Sequence, residues 1–324
     1  GQGKYLDPDF RIRGEKPWPG NVITKTGMHS SDAITDISLE WLRNGREKGK
    51  PFFLMHHFKA PHDMFRNAKR YDSYLSDTEI PEPENLFNPP SASKGSEGMG
   101  SGLSKAHTPW RLPERLGISI DLPEPEYTKA AYQEYLKRYL RCVKGVDDNV
   151  KRITDYLREA GELDNTVIIY TGDQGFFLGE HDLMDKRWIY EEAMRMPFIV
   201  HWPDGVAKGA LNDWLINNTD FAPTIIALAG AAETPGYMQG RSFAGALKGE
   251  HRPDDWRTAS YYRYWMHMAH NLAVPAHFGI RSQRYKLIFF YGTDENGAEK
   301  GRTPVAWEFY DLQEDPSEMR NLYD

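Results

Sequence analysis

Three short runs of the chain are apolar almost without interruption: Pro51–Phe58, Val167–Tyr170 and Pro197–Trp202. Runs of this length, rich in aromatic or β-branched residues and bounded by turn formers, predict strands. The near absence of polar alternation at 51–58 predicts a central one. Elsewhere the period is helical. Ile34, Ile37, Trp41 and Leu42 share one face of a helix that Ser31 or Asp32 can cap and that runs to about Arg46, where Gly49-Lys-Pro51 stops the chain. A longer helix is predicted from Tyr127 to Glu159 by Tyr132, Tyr135, Leu136, Tyr139, Val143, Val146, Val150, Ile153, Tyr156 and Leu157, with Gly145 as a point of bending and Gly161 as its end. Residues 1–29 read as extended loop. Residues 74–127 read as a long Pro/Gly/Ser-rich excursion, of low complexity from Ser91 to Ser104; segments of this kind are functional or disordered.

Beyond the third run the elements become smaller. Ala210–Asn217 predicts an edge strand, Asp220 caps a helix through Leu228, and a short helix lies near Leu247. Tyr261–Tyr264 predicts a strand, Phe278–Tyr291 a hairpin turning near Ser282-Gln283, Trp307–Leu312 a last strand, and Ser317 a short helix. The pattern divides the chain into a large α/β portion, residues 1–250, and a small subdomain, 251–324, with an antiparallel sheet.

Composition narrows the function classes. The net charge is −7 over 324 residues, with Lys and Arg mixed among the acids, so no basic stripe is offered to a nucleic acid. No apolar run reaches the length of a membrane span. A single cysteine, Cys142, excludes an internal disulfide framework, and its place inside a predicted helix makes it a small core residue rather than a nucleophile. The chain starts Gly1-Gln-Gly-Lys-Tyr5 without an initiator Met, which is expected of a piece of a longer protein.

The candidate chemistry sits where predicted strands end. The second run passes directly into Thr171-Gly-Asp-Gln-Gly175, where two glycines bracket Asp173 and Gln174. Ligands bind beyond the carboxyl ends of strands in open α/β sheets, and two hard oxygen donors suit calcium or magnesium better than zinc. Alone, the tripeptide fits an ordinary turn better than a metal site. Lys186 follows beside Asp185 and Arg187; a lysine there can clamp a tetrahedral anion, or simply be solvated. The first run delivers Lys59-Ala-Pro-His62, with His62 on a rigid post beside Pro61, able to contact the same anion or protonate a departing alcohol. Glu180, His181 and Arg187 can shape the pocket or pair with one another.

Read together and in order, these stretches resemble a known family. Thr171 to Pro203, with Gly-Asp-Gln-Gly, Gly-Glu-His and Asp-Lys-Arg-Trp, resembles the metal-and-sulfate segment of the type I sulfatases, members of the alkaline-phosphatase-like superfamily. Lys59–His62 resembles their sulfate-binding histidine segment. Asn217–Ile226, Gly279–Ile288 and Phe309–Leu322 resemble the helix, hairpin and closing strand that follow. The resemblance implies an α/β fold with a mostly parallel sheet between helices, calcium (or magnesium) on Asp173 and Gln174, and sulfate gripped by Lys186 and His62. Gln174 stands where the family usually has Asn or His, and still offers an oxygen.

One part of the family pattern is absent. Sulfatases use a formylglycine made in a Cys/Ser-x-Pro/Ala-x-Arg motif, with a pair of aspartates near the N-terminus; neither is found here, and Cys142 is followed by Val-Lys-Gly-Val. The missing N-terminal segment is therefore an expected partner, and the chain by itself is expected to be inactive. Tyr5–Phe10 and Tyr261–Ile280, with His267, His270 and His277, resemble bacterial mucin-desulfating or N-acetylglucosamine-6-sulfatase-like members. This implies a sulfated amino sugar as substrate, with Lys59, His181, Arg187, His270 and His277 around it, and a periplasmic or secreted location. The competing expectations are a phosphoesterase or phosphonate hydrolase of the same superfamily, and an inert glycan- or anion-binding protein.

Overall fold

The computed structural model describes residues 3–14, 16–88, 95–107, 115–206, 208–209, 211–231, 233–269, 272–292 and 303–323. The chain gathers into two compact units. The first takes Gly1–Pro81, Glu114–Ile118 and Lys129–Asp164; the second takes Glu82–Pro113, Ser119–Thr128 and Asn165–Asp324. The sheet of 251–324 thus shares a unit with the loops of 165–206.

The first unit opens with a small hairpin, β1 (Asp9–Arg11) on β2 (Val22–Thr24), where a loop was expected. Helix α1 spans Ser30–Glu40 and is capped by His29, two positions before Ser31 and three before Asp32. His29 Nδ1 accepts the Ser31 N–H at 3.2 Å, so Ser31 and Asp32 lie inside the helix. Freed from capping, the Asp32 carboxylate takes both Arg70 Nη atoms (2.6 and 2.7 Å) and Asn149 Nδ2 (2.9 Å). A π-helical turn, Trp41–Gly45, continues α1; there a Cβ on Gly45 would lie 2.6 Å from the Trp41 ring. Helix α2, Glu126–Glu159, buries the predicted stripe, including Tyr132, Tyr135, Leu136 and Val146, with Phe65 edge-on to Tyr135 and Tyr139. Gly145 lets Tyr71 approach, its would-be Cβ 3.3 Å from that ring, and α2 runs unbroken through it.

The run at 51–58 departs from its expected form. It is extended but belongs to no strand ladder among the described residues, and its exposure alternates, with Phe53 61% and Met55 64% exposed. A strand needs a hydrogen-bonded neighbour as well as apolar side chains, and here only alternate side chains are covered.

In the second unit β3 (Ile168–Thr171) pairs antiparallel with β6 (Phe198–His201), Ile168 opposite His201 and Thr171 opposite Phe198. All pairings among the described strands are antiparallel, so the parallel pairs expected of the main sheet are not among them. A two-residue ladder joins β4 (Phe177–Leu178) and β5 (Met184–Asp185), and helix α3 is the single turn Glu191–Met194. Residues 211–217 form no strand. Helix α4, Phe221–Leu228, has Asp220 at its N-cap position, as expected, but the Asp220 side chain instead completes the capping box of the preceding 3₁₀ turn, whose N-cap is Asn217. The buried Asp220 carboxylate also takes the Arg257 guanidinium and the Arg241 N–H. After the short helix α5 (Ala244–Leu247), strands β7 (Ala259–Arg263), β8 (His277–Ser282), β9 (Tyr285–Tyr291) and β10 (Val305–Asp311) form an antiparallel sheet in the order β10-β9-β8-β7. The hairpin turn falls where the sequence placed it. The helix expected at Ser317 is a turn. The inner face of the sheet packs Ile288, Phe290 and Tyr310 against Trp188, Ile189 and Tyr190, so the strands of 251–324 brace the loop that precedes α3.

Candidate functional site

The loops between β3 and α3 carry the predicted residues of the second unit. Strand β3 ends at Thr171, and the chain turns through Gly172-Asp-Gln-Gly175. Gly175 is obligatory: its N–H donates to the Ala193 carbonyl at 2.9 Å, and a Cβ would stand 2.1 Å from the Glu192 carbonyl oxygen. The turn is thereby pressed against α3, leaving the Asp173 side chain exposed and Gln174 half-buried.

The backbone from 181 to 187 is under strain. His181, Asp182, Asp185 and Arg187 have φ of 56°, 55°, 72° and 97°, four of the nine non-glycine residues in the left-handed region among the described residues. Each such residue costs about 1–3 kcal/mol and persists only where its surroundings impose it. The surroundings are present. The buried Asp182 carboxylate accepts the N–H groups of Leu103 (3.2 Å) and Ser104 (2.9 Å), the Ser104 hydroxyl, and His107 Nδ1 at 2.8 Å. The Tyr262 hydroxyl donates to the Arg187 carbonyl at 2.7 Å. The strain is thus concentrated in one segment and held from several sides.

Lys186 emerges from this loop with its ammonium 3.7 Å from Asp185 Oδ1 and 5.8 Å from the centre of the Phe176 ring. Arg187 Nε donates to Asp185 Oδ2 at 3.1 Å, and Asp185 is buried. His181 is buried, stacked on Tyr190 at 5.2 Å and 3.6 Å from a Glu192 carboxylate oxygen. Burial raises the Glu180 carboxyl above the usual carboxylate range, although one of its oxygens accepts the Leu178 N–H at 2.7 Å. In the first unit, Lys59 lies over the Tyr5 ring at 4.7 Å, and His62 Nδ1 donates to the Asp63 carbonyl at 2.6 Å, which leaves Nε2 as its basic nitrogen.

One expectation changes. His277 is fully buried, its Nδ1 on the Pro275 carbonyl at 2.8 Å and its ring between Trp188, Tyr262, Tyr264 and Phe290. Burial depresses it to about 4, so it is a neutral packing residue and offers no face to a sugar. His270 lies outside the described residues. Cys142 is 1% exposed and its thiol is pushed up to about 12 by burial, which suits the core role read from the sequence.

The donor set for a metal is partial. Asp173 and Gln174 are hard oxygen donors on one exposed turn, which fits calcium or magnesium. Among the described residues no group of three or more His, Cys, Asp or Glu could hold an ion. Calcium takes roughly six to eight oxygens, more than Asp173 and Gln174 offer.

Sequence reasoning missed the polar groups beneath the loop. Lys286, on the core face of β9, is fully buried with its ammonium 2.9 Å from Glu191 and 2.7 Å from the equally buried Glu318. Glu308, buried in the same unit, accepts the hydroxyls of Tyr190 (2.7 Å) and Tyr310 (2.9 Å). A signal existed: strand alternation puts Lys286 on the same face as Ile288 and Phe290, where a charge demands a partner.

Comparison with known proteins gives this geometry a family. Residues 6–231 match the sulfatase family, and residues 179–324 match the C-terminal family of N-sulphoglucosamine sulphohydrolase. The chain is 37% identical to an N-acetylglucosamine-6-O-sulfatase of Bacteroides thetaiotaomicron, over 99% of its own length and 61% of that protein's. It is 30% identical to the N-acetylglucosamine-6-sulfatase of Bos taurus, over 76% of the chain and 40% of the relative. Among solved structures it matches a protein designated BT4656, in complex with its substrate D-glucosamine-2-N,6-O-disulfate, at a TM-score of 0.85 and 36% identity, covering 99% of this chain and 69% of that one. A phosphonate monoester hydrolase from Silicibacter pomeroyi shares the fold, with a TM-score of 0.66 at 22% identity over 90% of this chain and 55% of that one. The chain spans less than two thirds of the two relatives named. The match of residues 6–231 to the sulfatase family and the 37% identity over 99% of the chain, with the strained loop set in an alkaline-phosphatase-like fold, place this chain in the sulfatase family.

Proposed function

We propose that the protein hydrolyses sulfuric esters on a sulfated glycan, with 6-sulfated glucosamine or N-acetylglucosamine as the sugar. The observation that carries this reading is the 37% identity, over 99% of the chain, to an N-acetylglucosamine-6-O-sulfatase. In this reading Lys186 clamps the sulfate, as a point charge placed where negative charge develops. His62 serves the departing alcohol through Nε2. Lys59, His181 and Arg187 belong to the substrate surroundings; His181 is buried, so it acts by shaping the loop. Asp173 and Gln174 would hold a calcium or magnesium ion, which when bound supplies positive charge to an oxyanion. The nucleophile of the family is formylglycine. Cys142, a buried helix residue with a raised thiol, does not fit that role, and no step is assigned to it. A place outside the cytoplasm, in the periplasm or secreted, suits a glycan substrate. No helix of the described residues is long and apolar enough to cross a membrane.

The test is hydrolysis by the complete protein of 4-nitrophenyl sulfate, 4-nitrophenyl phosphate and N-acetylglucosamine-6-sulfate. Sulfate release that exceeds phosphate release supports the proposal. Faster phosphate release would favour a phosphoesterase or phosphonate hydrolase. Binding of the sulfated sugar without turnover would favour an inert glycan-binding protein.

A further inference from the structure

Helix α3 is four residues long, too short to hold its own shape. Yet it is the wall on which the Asp173–Gly175 turn is built, through the Gly175 N–H on the Ala193 carbonyl and the close approach of Gly175 to Glu192. What fixes α3 comes from far along the chain. Glu318 Oε2 accepts the Glu191 N–H at 2.7 Å, satisfying a donor at the helix start. Lys286 Nζ stands 2.9 Å from Glu191 Oε1 and 2.7 Å from Glu318 Oε1, and Arg281 Nη2 stands 3.1 Å from Glu191 Oε2. Two carboxylates thus meet two cations on the inner face of the C-terminal sheet, with Lys286 and Glu318 fully buried. Glu318 also has φ of 51°, a conformation rare for glutamate. A buried ion pair is a poor source of stability compared with an apolar substitute. Its presence under this one-turn helix calls for a different account.

We infer that Lys286 and Glu318 are positioning residues: they set α3 and, through it, the Asp173-Gln174-Gly175 turn. This rests on the reading of Asp173 and Gln174 as metal ligands proposed above. Neither residue touches the turn itself; both act through Glu191. The C-terminal sheet is then part of the device that builds the metal turn.

Hydrogen–deuterium exchange on the chain, read by mass spectrometry, tests the inference without needing activity. In Glu318→Ala, peptides covering 173–176 and 191–194 are expected to exchange about tenfold faster through local opening, with β9 and β10 at the wild-type rate. Glu318→Gln keeps an oxygen for the Glu191 N–H, so a smaller increase confined to the same peptides is expected. A folded variant that exchanges like wild type at 173–176, or faster evenly across the unit, overturns the inference. If Glu318→Ala does not fold, Glu318→Gln decides by the same criterion. In the complete protein, Lys286→Met is expected to raise the calcium concentration for half-maximal sulfate release while leaving KM for the ester unchanged. Wild-type protein that releases no sulfate would refute the functional reading and leave the exchange result standing.

Discussion

His277 illustrates how a residue type misleads when its burial is unknown. A histidine in a loop-rich, aromatic stretch reads as a sugar contact; in the fold it is a neutral ring in a wall of aromatics. Its depressed value has a direction for stability. The unfolded chain takes up a proton near 6.5 and the folded chain only near about 4, so stability is full above about 6.5 and is lost as pH falls toward 4. Replacing His277 with Phe is expected to flatten the fall of the melting temperature over that window; an unchanged slope would assign the acid sensitivity elsewhere. Glu318 works in the opposite sense. Burial outweighs its share of Lys286 and pushes it up to about 7 from 4.5, so its favourable contribution is complete below 4.5 and is lost as pH rises through 7. The stability of Glu318→Gln relative to wild type should therefore rise between pH 4.5 and 7, as read from melting curves across that range. For Lys186, the proposed sulfate clamp, Lys186→Ala is expected to lower kcat for sulfate esters by about 10²–10³, the magnitude of a lost oxyanion donor. An unchanged kcat would remove it from the site.

At the scale of elements, Gly175→Ala is expected to cost roughly 1–3 kcal/mol, because the new methyl meets backbone on α3 that has no rotamer to yield. Urea unfolding of the variant measures it, and a midpoint equal to wild type would show that the turn and α3 are free to separate. The long helix, the terminal hairpin and the last strand were legible in the sequence because each carries its own period and punctuation. The Asp173–Lys186 loop was legible for another reason: its unusual residues are crowded together. The segments at 51–58 and 211–217 were misread as strands, because an apolar run states what a segment must bury and says nothing of which neighbour supplies its hydrogen bonds. The cap of α1 was misplaced by a few residues for a similar reason. Ser31 and Asp32 both suit an N-cap, and only the long-range partners of Asp32, Arg70 and Asn149, show why its carboxylate serves otherwise.

At the scale of the whole molecule, β3 and β6 pair only with each other among the described residues. Ile199, 63% exposed on β6, faces outward. Open edges beside exposed apolar side chains favour intermolecular pairing. The isolated chain is expected to self-associate as concentration rises, and Ile199→Lys to reduce this in light scattering; a wild-type chain that stays monomeric throughout would count against it. The buried Lys286 has a practical consequence of its own. Trypsin cuts after lysine, but a side chain with no exposed surface, held within a hydrogen-bonded strand, cannot enter a protease cleft. The Lys286–Leu287 bond is thus a built-in clock: its cleavage products appear only as fast as the C-terminal sheet opens, and their rate of appearance times that opening without a label or a dye.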